Sequence, residues 1–264
     1  EVYNLAAQSF VGTSFSSPIN TANITGLGSL RILETIRSIN PKIKFYQASS
    51  SEMFGDVLEK RQKEKTPLNP QSPYAISKVF SHYLTKNYRN SYNMFAASGI
   101  LFNHESPLRG EEFVTRKIII GLVKILKKEI SHFELGNIYA KRDWGYAKEY
   151  VEAMWKMLQK KQPKDYVIST GRTYSIKDFV NIATNYLKMN VKWVGKGLNE
   201  KLVYKHNNKT IIKINPKFFR PSEVNILIGD YSKAKKELNW KPKTDLKKLI
   251  KIMIDDEIKY YTKS

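Results

Sequence analysis

Apolar residues in the first hundred positions alternate between short continuous runs and runs with helical spacing. The continuous runs within Glu1–Ala7, Ile43–Ala48 and Met94–Phe102 predict buried strands. Apolar positions from Ile24 to Ile39 recur every three or four residues, and a Pro-rich loop leads into a further helix that begins near Tyr74. This alternation is typical of a parallel sheet with helices on both faces.

The regular alternation ends at Asn103, and the rest of the chain predicts shorter elements. They are helices at 115–128, from Trp144 onward, at 176–187 and at 246–261, with strands at 133–135 and 166–170. The predicted fold class is therefore α/β, a doubly wound parallel sheet with a smaller C-terminal α/β domain. We expect the first domain to cover residues 1–103 plus about 140–172, and the second to cover residues 104–139 and 173–264.

Composition excludes several kinds of protein. The 264 residues include no Cys, so disulfides and thiolate metal ligands are excluded, and the four His are scattered without metal-ligand spacing. No apolar run reaches the length of a membrane span, and no secretory leader is visible. We expect a cytoplasmic protein with no protein-bound metal and no membrane contact.

The formal charge of +21 raises the question of a polyanionic partner. Of the 45 basic residues, 36 are Lys and 9 are Arg, whereas nucleic-acid recognition favours the planar Arg fork. The C-terminal excess of positive charge falls largely in helix-like stretches, such as 233–236 and 247–251. A solvated basic face is therefore favoured over a nucleic-acid site.

Tyr74 and Lys78 carry the first candidate chemistry. They form the motif Y-x-x-x-K, so both side chains project from one face of the predicted helix. A nearby ammonium group lowers the pKa of a phenol, which lets the tyrosinate accept a proton from a hydroxyl group near neutral pH. The spacing alone is weak evidence, because it also occurs at Tyr231 and Lys235.

The surroundings of the two pairs differ. Tyr74 follows the Pro-rich loop, and the strand before that loop ends in the run Ala48–Gly55. Ligands bind at the carboxyl ends of strands in parallel α/β sheets, so Ser50 is placed to share a substrate hydroxyl with Tyr74. The alternative is that the serines at 49–51 only satisfy backbone groups at the strand end.

Ser50, Tyr74 and Lys78 together resemble the active site of the extended short-chain dehydrogenase/reductases. Within that superfamily, the segment Ser49–Gly55 is similar to the GDP-mannose 4,6-dehydratases, which carry an acid two residues after the catalytic hydroxyl, here Glu52. Five further stretches resemble the same family and extend the similarity over nearly the whole chain: Asn4–Ser9, Gly99–Pro107, Phe113–Ile118, Arg142–Lys148 and Arg220–Val224.

The resemblance implies an NAD(P)-binding Rossmann-like fold and a role for each matching residue. Ser50, Glu52, Tyr74 and Lys78 would be catalytic. The cofactor NADP would be lined by Lys78, His104, Arg109 and residues 5–9 (Leu5, Ala6, Ala7, Gln8 and Ser9, the cofactor loop), and the substrate GDP-mannose by Asn103, Lys117, Arg142, Arg220 and Glu223. The implied reaction is oxidation at C4, loss of water across C5 and C6, and return of the hydride to C6.

Family members begin with a strand, a Gly-rich phosphate turn and a helix, whereas this sequence starts at Glu1 without an initiator Met. We therefore expect the sheet to be N-terminally incomplete and this chain alone to be inactive. The full-length enzyme is expected to be a homo-oligomer, a dimer or a tetramer. Two alternatives stay open: another epimerase or reductase of the superfamily, in which Glu52 is idle, and a non-catalytic relic that binds polyanions.

Overall fold

The computed structural model describes residues 1–263, and no helix within them has the length and apolar character of a membrane span. The first elements are β1 (Val2–Asn4), α1 (Val11–Ser16), α2 (Pro18–Thr21), a π-helical turn (Ala22–Leu27), α3 (Gly28–Ile39), β2 (Phe45–Ser50), a 3-10 turn (Ser51–Phe54), α4 (Pro73–Ser91), β3 (Ala96–Leu101) and β4 (Asn103–Glu105). They are followed by α5 (Val114–Leu126), β5 (Phe133–Leu135), β6 (Lys141–Arg142), β7 (Trp144–Tyr146), α6 (Ala147–Leu158), β8 (Tyr166–Ile168), β9 (Tyr174–Ser175) and α7 (Ile176–Tyr186). The last elements are β10 (Val191–Val194), β11 (Lys201–Tyr204), β12 (Thr210–Ile214), α8 (Ser232–Leu238) and α9 (Leu246–Lys263).

The chain divides into two compact units. The first comprises Glu1–His104, Asp143–Thr173 and Ile226–Lys243, and the second comprises Glu105–Arg142, Tyr174–Asn225 and the residues from Thr244 onward. The chain therefore returns to the first unit at Ile226, late in the sequence. Ser264, the last residue of the predicted second domain, lies outside the described residues.

A four-stranded parallel sheet in the order β1-β2-β3-β8 forms the centre of the first unit. β2 and β3 pair along their whole length, from Phe45 opposite Ala96 to Ser50 opposite Leu101. Residues 45–49 of β2 and every residue of β3 are buried, as expected of strands covered on both faces. The parallel α/β sheet predicted from the sequence is confirmed.

Neighbouring residues of β2 face opposite sides of the sheet, because side chains alternate along a strand. Phe45 packs in a cluster with Leu33 of α3 and Tyr88 of α4. The next residue, Tyr46, belongs to a separate cluster that includes Met154 of α6. Helices therefore cover both faces of the sheet.

The second unit has a sheet and a helical layer of its own. Its sheet has the order β10-β11-β12-β5, with antiparallel pairing among the first three strands and parallel pairing between β12 and β5. Helices α5, α7 and α9 pack against one another and bury Ile118, Phe179 and Leu249. This unit is α/β with a core that is independent of the parallel sheet.

One predicted helix begins in a different helical form, and one predicted helix start is wrong. The segment from Ile24 to Ile39 is helical as predicted, but its first part belongs to the π-helical turn, and regular α-helix begins at Gly28. The helix predicted from Trp144 begins at Ala147, since Trp144–Tyr146 form strand β7. Hydrophobic periodicity locates an apolar segment, but it does not separate a buried strand from the first turn of a buried helix.

Candidate active site

The first turn of α4 carries Tyr74. Ser72 precedes the helix, and its Oγ accepts a hydrogen bond from Ala75 N at 3.1 Å, while Pro73 occupies the first helical position. Both residues are favoured at helix N-termini, because the hydroxyl caps a free N–H and the Pro ring has the φ that the helix needs. Tyr74 is only 8% exposed. The Pro-rich loop thus determines where α4 begins and buries the tyrosine at its start.

Lys78 lies one turn after Tyr74 and is 3% exposed. Its Nζ donates a hydrogen bond to the carbonyl oxygen of Ala48 at 2.7 Å. The same Nζ lies 5.8 Å from the centre of the Tyr74 ring. Burial lowers the pKa of Lys78 to about 8. The start of α4 is therefore joined to the end of β2 by an ammonium group held beside the tyrosine.

The lowered pKa of Lys78 predicts a pH-dependent stability. Between pH 8 and 10.5 the unfolded state keeps the proton on Lys78 while the folded state has lost it, so the free energy of unfolding should rise with pH. The difference between the two pKa values corresponds to about 3 kcal/mol. We expect Lys78→Met to remove this rise, measured as the difference between urea unfolding at about pH 7 and about pH 10.

Lys86→Met is the control for this prediction, because Lys86 is exposed on the same helix. It should keep the pH dependence of the parent protein. An equal rise in the parent and in Lys78→Met would show that the pKa of Lys78 is not lowered by burial.

The turn after β2 brings a hydroxyl and a carboxylate close together in the chain. Ser50 is the last residue of β2 and caps the 3-10 turn, since its Oγ accepts a hydrogen bond from Glu52 N at 3.2 Å. Glu52 lies inside that turn and is 8% exposed. A carboxylate loses favourable hydration when it is buried, so Glu is rarely found this far from solvent without a specific task. Glu52 is therefore a candidate for chemistry.

Gly55 ends this turn with a φ of +55°, in the left-handed region that favours glycine. A Cβ at this position would lie 1.8 Å from the carbonyl oxygen of Asn69. Asn69 N in turn donates a hydrogen bond to Met53 O at 3.1 Å, so the Pro-rich loop lies directly on the turn. Only glycine allows both the turn and this close approach.

The four predicted catalytic residues lie on two neighbouring pieces of the first unit. Ser50 and Glu52 lie at the end of β2 and in its turn, and Tyr74 and Lys78 lie in the first turns of α4. The hydrogen bond from Lys78 to Ala48 joins the two pieces. Together they supply a phenol, an ammonium group, a hydroxyl and a carboxylate, which is a set that can move protons to and from a bound sugar.

The second Y-x-x-x-K pair has a different environment. Tyr231 precedes α8, and its ring packs edge-on against Trp240 with centroids 6.1 Å apart. Lys235 is exposed to solvent, and its backbone N–H donates to Tyr231 O as part of the helix. The structure therefore separates the two pairs by burial, which spacing does not do.

The cofactor loop follows β1 at an outer position of the parallel sheet. Ala6 N donates a hydrogen bond to Asn4 Oδ1 at 3.2 Å, and Gln8 N donates to Thr25 Oγ1 at 3.1 Å. The side chain of Leu5 is exposed. The loop is thus held through its backbone while one side remains open to solvent, at the strand end where dinucleotides bind in such sheets.

Asn103 and His104 follow β3 and are half-buried. The Nδ1 of His104 shares a hydrogen bond with Phe102 O at 2.9 Å. Its ring stacks on Tyr150, with ring centroids 4.9 Å apart. The orientation of the imidazole is therefore set on two sides by its own unit.

Two predicted substrate residues meet in the second unit. Arg142 Nη2 lies 3.3 Å from Glu223 Oε1, and Arg142 Nη1 donates a hydrogen bond to Val224 O at 2.6 Å. Arg142 is 6% exposed, and Arg220, nearby in sequence to Glu223, is half-buried. The structure brings Arg142 and Glu223 together, as a pair in which the carboxylate orients the guanidinium group.

Lys117 and Arg109 each lie over an aromatic ring. Lys117 Nζ is 3.8 Å from the centre of the Phe218 ring, and burial lowers the pKa of Lys117. The guanidinium carbon of Arg109 is 3.5 Å from the centre of the Phe113 ring, and its Nε lies 3.3 Å from Glu105 Oε2. Phe218 and Glu105 were not predicted from the sequence, because no spacing rule links them to their cationic partners.

Asp143, which is fully buried, was also not among the site residues predicted from the sequence. Its carboxylate accepts hydrogen bonds from Thr170 N at 2.8 Å, Thr170 Oγ1 at 2.6 Å, Gly171 N at 2.8 Å and Gly229 N at 3.4 Å. Burial outweighs these bonds and raises the pKa of Asp143 to about 6. Asp143 clamps the turn after β8 to the segment that returns at Ile226.

Solved structures of other proteins share this architecture. RMD from Pseudomonas aeruginosa, complexed with NADPH, matches with a TM-score of 0.81 and 20% identity over 97% of this chain and 80% of that chain. UDP-glucose 4-epimerase from Thermotoga maritima matches with a TM-score of 0.80 and 23% identity over 98% of this chain and 77% of that chain. This chain therefore has the Rossmann-like α/β fold of these proteins.

Comparison with known sequences assigns this chain to one family. The family model described as GDP-mannose 4,6 dehydratase matches residues 1–253. The GDP-mannose 4,6 dehydratase of Drosophila melanogaster is 49% identical over 100% of this chain and 67% of its own length, and that of Homo sapiens is 46% identical over 98% of this chain and 70% of its own. The chain belongs to the GDP-mannose 4,6-dehydratase family and spans about two thirds of the length of these relatives.

Proposed function

We propose that this protein converts GDP-D-mannose to GDP-4-keto-6-deoxy-D-mannose with loss of water. The observation that carries the proposal is the nearly buried Glu52, two residues after Ser50, in a chain that matches the dehydratase family over residues 1–253. In an epimerase or a reductase, this carboxylate would have no catalytic role. The carbon that is oxidised and the carbon that is reduced belong to the same sugar, so the enzyme is a lyase.

A nicotinamide dinucleotide fits the residues of the first unit. The open cofactor loop offers backbone groups at the carboxyl end of β1, and the buried ammonium group of Lys78 is a donor suited to ribose hydroxyls. When bound, the cofactor supplies reversible hydride transfer. We propose NADP as this cofactor, with His104 on its side of the site and Arg109 supplying a positive charge for its phosphates.

Tyr74 acts as the base for oxidation at C4. Its phenolate oxygen takes the proton of the C4 hydroxyl, while Ser50 Oγ holds the same oxygen by a hydrogen bond. The positive charge of Lys78, 5.8 Å from the ring centre, favours the phenolate over the phenol. Because its pKa is about 8, Lys78 can exchange protons near neutral pH and so return the Tyr74 phenol to the phenolate form.

Glu52 acts in the elimination. A ketone at C4 makes the C5 proton acidic, and the Glu52 carboxylate accepts that proton. The C6–oxygen bond then breaks, a C5–C6 double bond forms, and the protonated Glu52 supplies the proton with which the C6 hydroxyl leaves as water. The hydride removed from C4 is returned to C6, and a solvent proton, equivalent to the one that Tyr74 took from the C4 hydroxyl, adds to C5 and completes the 6-deoxy sugar.

The nucleotide end of the substrate is assigned to the remaining predicted residues. Arg142, Lys117 and Arg220 offer positive charge to the pyrophosphate, and Glu223 accepts hydrogen bonds from ribose hydroxyls. Asn103 supplies an amide to the sugar. The observed pairing of Arg142 with Glu223 supports an arrangement in which one residue orients the other.

The proposed function is tested by product analysis of the full-length enzyme with GDP-mannose and NADP⁺. Mass spectrometry should show loss of one water, and NMR should show a new methyl group at C6. A product of unchanged mass with altered stereochemistry would identify an epimerase. Steeply salt-dependent DNA binding without nucleotide-sugar binding would instead support the polyanion-binding alternative.

We also propose that the full-length protein is cytoplasmic and forms a homo-oligomer through the outer face of α4. Ile76, Phe80 and Tyr83 are 56%, 43% and 53% exposed and recur at helical spacing, which gives an apolar stripe that a second copy of the same helix can cover. Light scattering should give the mass of at least a dimer. A monomeric parent protein would contradict this assignment.

A further inference from the structure

We propose that Thr25, in the π-helical turn, is a positioning residue that holds the cofactor loop against the catalytic helix α4. The inference rests on the proposed function, because it assumes that the loop at 5–9 receives a nicotinamide dinucleotide. Thr25 is fully buried and belongs to none of the predicted site residues. Its two oxygen atoms bind different parts of the first unit.

The hydroxyl of Thr25 holds the loop. Its Oγ1 accepts the hydrogen bond of Gln8 N at 3.1 Å. One turn earlier, Thr21 Oγ1 donates to Gln8 Oε1 at 3.3 Å. The backbone and the side chain of Gln8 are therefore fixed by two threonines of the helical segment that follows the loop.

The carbonyl oxygen of Thr25 holds the helix. It accepts a hydrogen bond from Ser81 Oγ at 2.8 Å, and Ser81 lies three residues after Lys78 on α4. It also accepts a hydrogen bond from Ser29 Oγ at 3.1 Å. One residue thus connects the backbone of the cofactor loop to the helix that carries the tyrosine and the lysine.

Ser29 extends the connection to the other end of the loop. Asn4 Nδ2 donates to Ser29 Oγ at 3.1 Å, and Asn4 Oδ1 accepts from Ala6 N at 3.2 Å. Ala6, near the start of the loop, and Gln8, near its end, are therefore both connected to the segment 25–29.

The π-helical turn explains how a single residue makes these contacts. A π-helical turn carries an extra residue relative to an α-helix, which displaces side chains and carbonyl groups from their regular positions, and such turns occur frequently at functional sites. Thr25 lies within this turn, with its hydroxyl directed to the loop and its carbonyl to α4. Loss of the hydroxyl would leave Gln8 N–H without this acceptor in the loop conformation that binds the cofactor.

The test is a set of variants of the full-length enzyme, with NADPH affinity measured by fluorescence titration. Thr25→Val removes the hydroxyl and should raise the Kd for NADPH about tenfold, the effect of one lost hydrogen bond, while kcat at saturating cofactor stays within about threefold. Thr25→Ser keeps a hydroxyl and should restore the parental Kd. Ser81→Ala leaves Thr25 intact and should raise the Kd about threefold, which covers the case in which Thr25→Val does not fold.

Thr85→Val is the matched control. Thr85 is also fully buried in the first unit, but its Oγ1 donates only to Ser81 O, within α4. Its replacement should lower Tm as much as Thr25→Val does and leave the Kd for NADPH unchanged. An unchanged Kd in both Thr25→Val and Ser81→Ala, or an equal increase in Thr85→Val, would overturn the proposal.

The same titrations separate this inference from the proposed function. A parent enzyme that binds NADPH but does not dehydrate GDP-mannose would refute the proposed function and leave the comparison of Kd values valid. A parent enzyme that binds no nicotinamide dinucleotide would refute both. If the parent enzyme dehydrates GDP-mannose and the Kd for NADPH is unchanged in Thr25→Val and Ser81→Ala, the positioning role alone is refuted.

Discussion

Replacing Tyr74 with Phe in the full-length enzyme is expected to lower kcat for GDP-mannose dehydration by roughly 10²–10⁴-fold, the usual cost of losing a positioned acid or base. The ring stays in its buried place at the start of α4, and only the oxygen that takes the C4 proton is lost. Steady-state turnover, followed by product formation, measures the effect. The Kd for NADPH should remain within about threefold of the parental value, because the ammonium group of Lys78 is untouched.

Tyr231→Phe is the matched control, since Tyr231 and Lys235 repeat the same spacing. Tyr231 packs against Trp240, and Lys235 is exposed, so this variant should turn over at the parental rate. If Tyr74→Phe kept a near-parental kcat, the assignment of the tyrosine as catalytic base would be wrong.

Replacing Glu52 with Gln is expected to block elimination more than oxidation. The amide keeps the shape of the side chain and can hydrogen-bond, but it does not accept the C5 proton, so product formation should fall on the order of 10²-fold or more. In D₂O, exchange at C5 should slow by a similar factor. The reduced-cofactor absorbance that accompanies C4 oxidation should persist or accumulate.

Glu152→Gln provides the comparison for this variant, because Glu152 is part of a surface ion pair with Lys156 on α6 and is not a predicted site residue. The Glu152→Gln variant should exchange the C5 proton with D₂O and form product at parental rates. Full C5 exchange and normal product in Glu52→Gln would overturn the dehydratase assignment. The superfamily assignment would stand, because this result is the one expected of an epimerase in which Glu52 has no catalytic role.

The sequence predicted the parallel sheet well because its strands are short apolar runs buried on both faces. β2 and β3 are such strands, and each was located to within two residues. The segment at 22–28 was harder to predict, because a π-helical turn and an α-helix bury nearly the same apolar positions. The return of 226–243 to the first unit depends on contacts between residues far apart in sequence, such as Gly229 with Asp143.

The candidate site shows the same limit. The order Ser50, Glu52, Tyr74 and Lys78 is visible in the sequence. The Y-x-x-x-K spacing alone, however, did not separate Tyr74 and Lys78 from Tyr231 and Lys235. The burial of Lys78 and its hydrogen bond to Ala48 make that distinction, and both depend on how α4 packs against β2. Thr25 had no sequence signal at all, because its role arises from a backbone irregularity.

Directed evolution of the turn that carries Glu52 is constrained at Gly55. Gly197 has a similar φ, +59° against +55°, but a Cβ there would meet no atom within 4 Å. A side chain at Gly197 would carry only the strain of the left-handed backbone, whereas one at Gly55 would carry that strain and a backbone clash. In a library that replaces every residue in turn, substitutions at Gly55 should therefore be lost under selection for activity more completely than those at Gly197. New specificities at this turn have to be sought in its side chains, with the path of its backbone kept as it is.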